Sequence, residues 1–162
     1  MKYILSITFL LVSTFVFAQS KPFVLKVSGE VAAPLQLSLN DLAAMPHHTV
    51  NLKDKDGNPH PYSGVAVQDI LSKAGVTVGK ELRGENLSKY LLAKCADGYQ
   101  TLYSLVELDS SFTDNMVIIA DASEGKPLPE AKGPLRMVIP NEKKPARSCY
   151  QVVELIIGYA KD

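Results

Sequence analysis

Two cysteines are the residues of this 162-residue sequence with the widest range of possible chemistry. Cys95 and Cys149 lie 54 positions apart, so the chain has no CxxC redox motif. In an exported protein a pair of cysteines is usually a disulfide, and closing a loop of this length would stabilise the fold by about 4 kcal/mol. Two separate buried thiols are the alternative, and the sequence leaves both interpretations open.

The histidines and the paired carboxylates do not predict a metal site. His47 and His48 are adjacent on a predicted strand, where successive side chains point to opposite faces, so they cannot bind one ion together. His60 lies in a turn between two prolines and is interpreted as a surface residue, or as one near a bound cofactor, rather than as a metal ligand. Two pairs of nearby acidic residues are interpreted as solvated charge: Asp54 with Asp56, and Glu107 with Asp109.

Composition and missing motifs exclude several classes of protein. The 17 basic and 17 acidic residues balance, whereas a nucleic-acid-binding domain usually carries a basic excess. With 46% hydrophobic and 21% charged residues, the chain has enough apolar surface for a folded core. No GxxxxGK[ST], GxGxxG or GxSxG pattern occurs, so the sequence predicts neither a phosphate loop nor a serine nucleophile elbow.

The first 18 residues have the pattern of a signal peptide. Lys2 is followed by the apolar run Ile4–Phe17, and Val16-Phe17-Ala18 places small residues where a signal peptidase cleaves. This run is shorter than the roughly 20 residues that a membrane-spanning helix needs. We therefore expect a mature chain that begins at Gln19, a single domain over residues 19–162, a periplasmic or secreted location and no stable membrane insertion after cleavage.

Short strands and a few short helices must position the candidate residues. Eight segments have strand-like patterns: Phe23–Val31, Leu35–Leu39, His47–Lys53, Lys89–Ala96, Tyr99–Tyr103, Met116–Ala120, Leu135–Ile139 and Tyr150–Tyr159. Capping-box spacings predict helices over Leu39–Met45 and Leu105–Leu108, and apolar periodicity predicts one over Val67–Ala74. Tyr62–Val65 is expected to be a turn, and 123–132 a loop. The irregular order predicts an α+β or β-rich fold rather than a doubly wound sheet.

Four segments, in this order, resemble the oxidoreductase molybdopterin-binding domain of the sulfite-oxidase type. They are VSGEVAAPLQLSLNDLAAMPHHTV, YSGVAVQDILSKAGV, KCADGYQTLYSLVEL and GPLRMVIPNEKKPARSCYQVVELIIG. The resemblance covers about Val27 to Gly158. It implies the sulfite-oxidase-type fold, with mixed β-sheets and a few short helices, and molybdopterin as the cofactor.

The resemblance also raises a question about the metal. In this family the molybdenum is held by a pterin dithiolene and by one protein thiolate, which the resemblance places just after the strand His48–Lys53. Residues 52–58 contain no Cys, and Asp54 and Asp56 are not electronic substitutes for a thiolate. Cys95 and Cys149 match other positions of the family pattern. We therefore predict no protein ligand to molybdenum and identify no catalytic residue.

The resemblance favours a cofactor-anchoring role for the basic segment Lys143–Arg147. Arg147 is expected to bind a phosphate or the pterin, with Lys143, Lys144, His48 and Tyr99 as further candidates. The strand His48–Lys53, the turn Asp97–Tyr99 and the segment Lys143–Arg147 are then expected to border one cleft. A solvated basic loop is the alternative for this segment.

The implied function is that of an exported, oxidoreductase-like molybdopterin-binding-domain protein, in which the missing thiolate argues against catalysis. Two alternatives stay open. One is a non-catalytic periplasmic module that binds a small anionic ligand. The other is a subunit that docks a protein partner.

Overall fold

The computed structural model describes residues 22–160, so the predicted signal peptide and the expected N-terminus at Gln19 lie outside the described residues. Within this range the chain folds into strands with few helices. The strands are β1 (Val24–Gly29), β2 (Leu35–Ser38), β3 (His47–Lys53), β4 (Pro59–Ala66), β5 (Lys89–Cys95), β6 (Gln100–Ser104), β7 (Ile118–Ser123), β8 (Lys126–Pro127), β9 (Arg136–Val138) and β10 (Val152–Tyr159). The α-helices are α1 (Leu39–Ala43) and α2 (Val67–Lys73), and 3₁₀ helices span Gly79–Glu81, Gly84–Ser88 and Leu105–Leu108.

The strands form two sheets, one mixed and one antiparallel, and together with the few short helices they confirm the predicted α+β fold class. The first sheet has the order β2-β1-β10-β5-β6, in which β1 and β10 are parallel and the other pairs are antiparallel. The second sheet has the order β3-β4-β7-β8, and β9 also pairs with β7. Every pair in the second sheet is antiparallel.

One hydrophobic cluster joins the two sheets and the helices. It contains Leu25 from β1, Leu155 from β10, Ile119 from β7 and Ile70 from α2, all at most 1% exposed. A smaller cluster covers the other face of the second sheet and includes Leu52 from β3. Alternation along β5, in which every second residue is buried, explains why the sequence predicts that strand well.

Local signals explain how the helices begin. The Ser38 hydroxyl accepts a hydrogen bond from the Asp41 amide at 3.2 Å, and the Asp41 carboxylate accepts one from the Ser38 amide at 2.8 Å. This capping box starts α1 as predicted, although the helix ends at Ala43 rather than Met45. The second capping box, between Ser104 and Glu107, is also present. No helix within residues 22–160 is long and apolar enough to cross a membrane.

The predicted turn at Tyr62–Val65 is wrong, because these residues belong to β4. A register shift between Ser63 and Gly64 bends this strand where it pairs with β7. A Cβ on Gly64 would lie 2.0 Å from the carbonyl oxygen of Ile119, so only glycine allows the two strands to approach this closely. The predicted loop at 123–132 contains the short strand β8, which extends a hairpin from β7.

Candidate functional site

Four exposed lysines surround a cleft of about 430 Å³, which we call the lysine cleft. Lys53 ends β3 and Lys55 follows it in the β3–β4 turn, whereas Lys143 and Lys144 belong to the segment between β9 and β10. The rest of the lining is Asp54, Gly57, Pro145 and Ala146. Within residues 22–160 none of the four lysines forms an ion pair. Their combined charge makes a small anion the ligand that this cleft would attract.

The β3–β4 turn is held in shape by its own hydrogen bonds. The Gly57 amide donates to the Asp54 carbonyl at 3.0 Å, and the Asp54 amide donates to the Asn58 carbonyl at 3.1 Å. Gly57 has a φ of 83°, which other residues rarely adopt. The turn therefore presents Lys53 and Lys55 to the cleft on a defined backbone.

A buried arginine lies behind the turn and holds Asp54. The guanidinium of Arg136, on β9, donates to the two carboxylate oxygens of Asp54 at 2.8 and 3.0 Å, and also donates to the Tyr62 hydroxyl. Its Nε donates to the carbonyl of Ser148 at 3.3 Å, and its carbon Cζ lies 4.7 and 4.0 Å from the ring centroids of Tyr62 and Tyr150. Asp54 is therefore part of a buried ion pair. Its sequence-based interpretation as solvated charge is wrong, because Arg136 was not recognised as its partner.

Burial and charge have opposite effects on the pKa of Asp54. Burial alone would raise it, but hydrogen bonds from Arg136 and Tyr62 and the guanidinium charge outweigh burial and lower the pKa below 3.8. The Tyr62 hydroxyl, which is buried and donates to this carboxylate at 2.6 Å, has its pKa raised to about 12. This cluster is thus an ionised Asp–Arg pair with a neutral tyrosine.

A second cleft, of about 560 Å³, lies on the other side of Asp54 and Lys55, and we call it the aromatic cleft because Tyr62 and Tyr150 line it. His60 lines this cleft and is hydrogen-bonded on both sides of its ring: Nε2 lies 2.8 Å from the Asp56 carboxylate and Nδ1 lies 3.0 Å from the Glu124 carboxylate. The Glu124 contact, followed by the Asp56 contact, raises the pKa of His60 above 6.5. These pairs tie the β3–β4 turn to the β7–β8 turn.

Arg147 does not line the lysine cleft. Its guanidinium binds Glu107 at 3.0 and 3.1 Å, contacts Glu142 and donates to the Leu102 carbonyl at 3.2 Å. Its Cζ also lies 5.1 Å from the centroid of the Tyr103 ring. The hydrogen bonds to Glu107, and then those to Glu142, raise the pKa of Arg147 above its ordinary value. Two carboxylates thus compensate the charge of Arg147, which joins the segment 142–147 to β6 and the 3₁₀ helix 105–108.

The expected common cleft is only partly formed. Lys53, Lys143 and Lys144 lie together, and Tyr99 supports this region because its hydroxyl donates to the Ala146 carbonyl at 3.1 Å. His48, in contrast, lines a different cavity, where its Nε2 lies 4.0 Å from Asp69. The prediction that His48 lies in one cleft with Lys143 is therefore wrong. His48 and Lys53 lie near opposite ends of β3, and of the two only Lys53 lines the lysine cleft.

The structure decides between the two interpretations of the cysteines in favour of free thiols. Cys95 and Cys149 are both buried in the core cluster and are not disulfide-bonded. Within residues 22–160 no group of three or more His, Cys, Asp or Glu side chains could hold a metal ion. One more correction concerns Asp109, which is not solvated: it is 1% exposed and accepts hydrogen bonds from the amides of Gly79 and Ser111.

Arg136 is the residue of this region that the sequence analysis missed. It is 1% exposed and stands among apolar residues in the segment Leu135–Ile139. A charged residue inside an otherwise apolar strand needs a buried counter-charge. The position of Arg136 in such a strand was therefore the feature of the sequence that could have revealed its role. That counter-charge, Asp54, lies 82 positions away, and no sequence spacing connects the two residues.

Comparisons with known proteins agree with this fold. A family model described as the oxidoreductase molybdopterin binding domain matches residues 56–148, more than half of the chain. Among solved structures, the sulfane dehydrogenase SoxCD from Paracoccus pantotrophus is similar, with a TM-score of 0.68 and 21% sequence identity. The match covers 86% of this chain but 38% of that one, so this chain spans well under half of its length. A search of curated proteins finds no match.

Proposed function

The chain belongs to the oxidoreductase molybdopterin binding domain family, and we propose that within this family it is an exported protein that binds a small anionic ligand in the lysine cleft without metal-centred catalysis. The proposal rests on the charges that line the cleft. Its four exposed lysines form no ion pair within residues 22–160, and the carboxylate of Asp54 is already bound to Arg136. The cleft therefore keeps its positive charge. A phosphate group, whether of a pterin or of another small molecule, is the matching chemistry.

The residues at the cleft do not fit a molybdenum–thiolate centre. Molybdenum in this family needs a soft thiolate ligand, which the resemblance places just after β3. Residues 52–58 contain no Cys, and the two oxygens of Asp54, which lies in this stretch, are engaged by Arg136. The chain's two cysteines belong to the buried core and do not line the lysine cleft. We therefore derive no redox step at this site.

Isothermal titration with inorganic pyrophosphate tests the anion site. Losing one charge-assisted contact typically costs about 1.5–3 kcal/mol, so Lys143→Glu is expected to weaken binding by at least tenfold. Lys80→Glu is the matched control: it makes the same charge change at an exposed lysine that does not line the cleft. Equal affinities of the two variants, or no binding by the unaltered protein, would show that the lysine cleft is not an anion site.

The molybdenum and pterin content of protein purified from its native source tests the second half of the proposal. We expect no molybdenum, whereas stoichiometric molybdenum would overturn the non-catalytic assignment. Pterin without metal would identify the anion as the phosphate of the pterin. The lysine-cleft titration keeps its meaning in either case, because it does not depend on the metal.

The export part of this proposal is supported by the pattern of residues 1–18. Intact-mass measurement of protein from the native cell is expected to give a chain that begins at Gln19. Recovery of the chain with Met1 still attached would contradict export by signal cleavage.

A further inference from the structure

His60 lies between two carboxylates that belong to different turns. Its Nε2 is 2.8 Å from Asp56 in the β3–β4 turn, and its Nδ1 is 3.0 Å from Glu124 in the β7–β8 turn. A neutral imidazole has one N–H group and one acceptor nitrogen, so it can donate to only one of the two carboxylates, whereas imidazolium donates to both. The geometry at His60 is therefore that of the protonated side chain.

Backbone hydrogen bonds hold both carboxylates beside the imidazole. The Asn58 amide donates to the Asp56 carboxylate at 2.9 Å, and this bond, followed by the one from His60, lowers the pKa of Asp56 to about 2. The Glu124 amide donates to the carbonyl of Pro61 at 3.0 Å. Asp56 thus keeps its charge near neutral pH, and the imidazole is the partner whose charge changes there.

Several further charged or titratable side chains face His60 across the aromatic cleft. They come from the β3–β4 turn, from β4, from β8 and from the segments that flank β9: Asp54, Lys55, Tyr62, Lys126, Lys132 and Tyr150. Histidine is the one side-chain type that ordinarily changes charge between about pH 5 and pH 8, and these residues include none. His60 is therefore the residue through which this cleft responds to pH near neutrality.

The β3–β4 turn connects His60 to the lysine cleft. Lys55 and Gly57, on either side of Asp56, line the lysine cleft, and Lys55 also lines the aromatic cleft. Loss of the imidazolium charge removes the counter-charge that Asp56 and Glu124 share, and these carboxylates then attract Lys55 towards the aromatic cleft. An anion in the lysine cleft then experiences a weaker positive potential.

We propose that His60 is a pH-sensitive latch, which joins the two turns when it is protonated and thereby raises the affinity of the lysine cleft for anions. The proposal rests on the proposed function, because it takes the lysine cleft as the anion site. When His60 is neutral, one of its two contacts is lost and the β7–β8 turn is released from the β3–β4 turn. Because such coupling is reciprocal, a bound anion also favours protonation of His60.

Isothermal titration with pyrophosphate at about pH 5.5 and about pH 9, on either side of the titration of His60, tests the latch. His60→Arg is permanently charged and His60→Gln is uncharged, so the two variants represent the two states. We expect the unaltered protein to match His60→Arg at the lower pH and to bind roughly fivefold more weakly than this variant at the higher pH. Pyrophosphate itself changes charge with pH, but equally for every protein, so affinities are compared at one pH.

His48→Gln is the matched control, because His48 lies on the same sheet but lines neither of the two clefts. It is expected to keep the pH response of the unaltered protein. An affinity ratio between the unaltered protein and His60→Arg that is equal at both pH values would overturn the latch and leave the proposed function intact. Absence of binding by every protein at both pH values would overturn the proposed function, and the latch with it.

Hydrogen exchange followed by NMR tests the contact between the turns without a ligand. The reporter is the Glu124 amide, whose hydrogen bond to Pro61 joins the β7–β8 turn to β4. Relative to an unstructured peptide at the same pH, we expect its protection to fall with rising pH in the unaltered protein and to stay constant in His60→Arg. Constant protection in both proteins would overturn the latch, whatever the titrations show.

Discussion

Replacing Asp54 by Asn would leave the guanidinium of Arg136 buried without its counter-charge. The Arg136 side chain is 1% exposed and that of Asp54 is 16% exposed, so solvent compensates little of the lost interaction. Breaking a buried ion pair typically costs about 3–5 kcal/mol, and the partial exposure of Asp54 favours the lower end. We therefore expect Asp54→Asn to lower the free energy of unfolding by about 3 kcal/mol.

The double variant Asp54→Asn/Arg136→Met separates the ion pair from simple loss of packing. Since Met removes the unpaired charge and keeps apolar volume between Tyr62 and Tyr150, we expect the double variant to be more stable than Asp54→Asn alone. Urea denaturation followed by circular dichroism measures these differences. Arg83→Met, at an exposed arginine, is the control and is expected to stay within about 0.5 kcal/mol of the unaltered protein.

The pH dependence gives a second check on the same pair. The pKa of Asp54 is lowered in the folded protein. The ionised Asp54 therefore contributes fully to stability above pH 3.8, and this contribution is lost as the pH falls through the lowered pKa. The unaltered protein is therefore expected to lose more stability than Asp54→Asn as the pH is lowered below 3.8. Changes below about 0.5 kcal/mol in Asp54→Asn, with an unchanged acid response, would refute this account of the pair.

Three further predictions concern other contacts. Arg147→Ala is expected to lower the free energy of unfolding by only about 1 kcal/mol, because the carboxylate partners of Arg147 are partly exposed. Its pyrophosphate affinity is expected to stay within about twofold of that of the unaltered protein. Urea denaturation and isothermal titration of the two proteins measure these effects, and a loss of binding would restore Arg147 as a ligand residue. Gly64→Ala is expected to lower the free energy of unfolding by more than about 2 kcal/mol, because its methyl group would overlap the backbone of Ile119; a neutral effect in urea denaturation would contradict the close approach of β4 and β7. His60 has a raised pKa through Glu124 and then Asp56, so its contribution is complete below pH 6.5 and is lost as the pH rises through the raised value. Thermal unfolding of the unaltered protein, compared with His60→Gln, is expected to show this loss, and parallel curves for the two proteins would count against it.

The sequence predicted the elements that depend on local signals. The capping boxes at Ser38 and Ser104 and the apolar periodicity of α2 lie within one segment each, and all three are confirmed. The fold class was also predicted correctly, because the irregular order of strands and helices excludes a doubly wound sheet and the four ordered segments resemble one family. Helix and strand ends were less accurate, since tertiary contacts decide where these elements stop.

The candidate site was predicted less well, because its contacts join distant segments. Glu107 was recognised as a capping residue, but its second contact, to Arg147, depends on how the segment 142–147 folds back. In the same way, the pairing of Asp54 with Arg136 crosses 82 positions of sequence. Lys143 and Lys144 were found through the resemblance of their segment to the family, whereas Lys53 and Lys55 join them only after β3 and β4 have formed a hairpin.

The place of β10 in the first sheet has a consequence for the order of folding. Although β10 is the last strand to be synthesised among those described, it lies between β1 and β5 and pairs with both. The β1–β2 and β5–β6 hairpins can form early from local contacts, but they cannot join into one sheet until the ribosome has released the C-terminal segment. Until then both hairpins expose an unpaired edge. The nascent chain is therefore open to edge-to-edge aggregation until β10 has docked between the two hairpins.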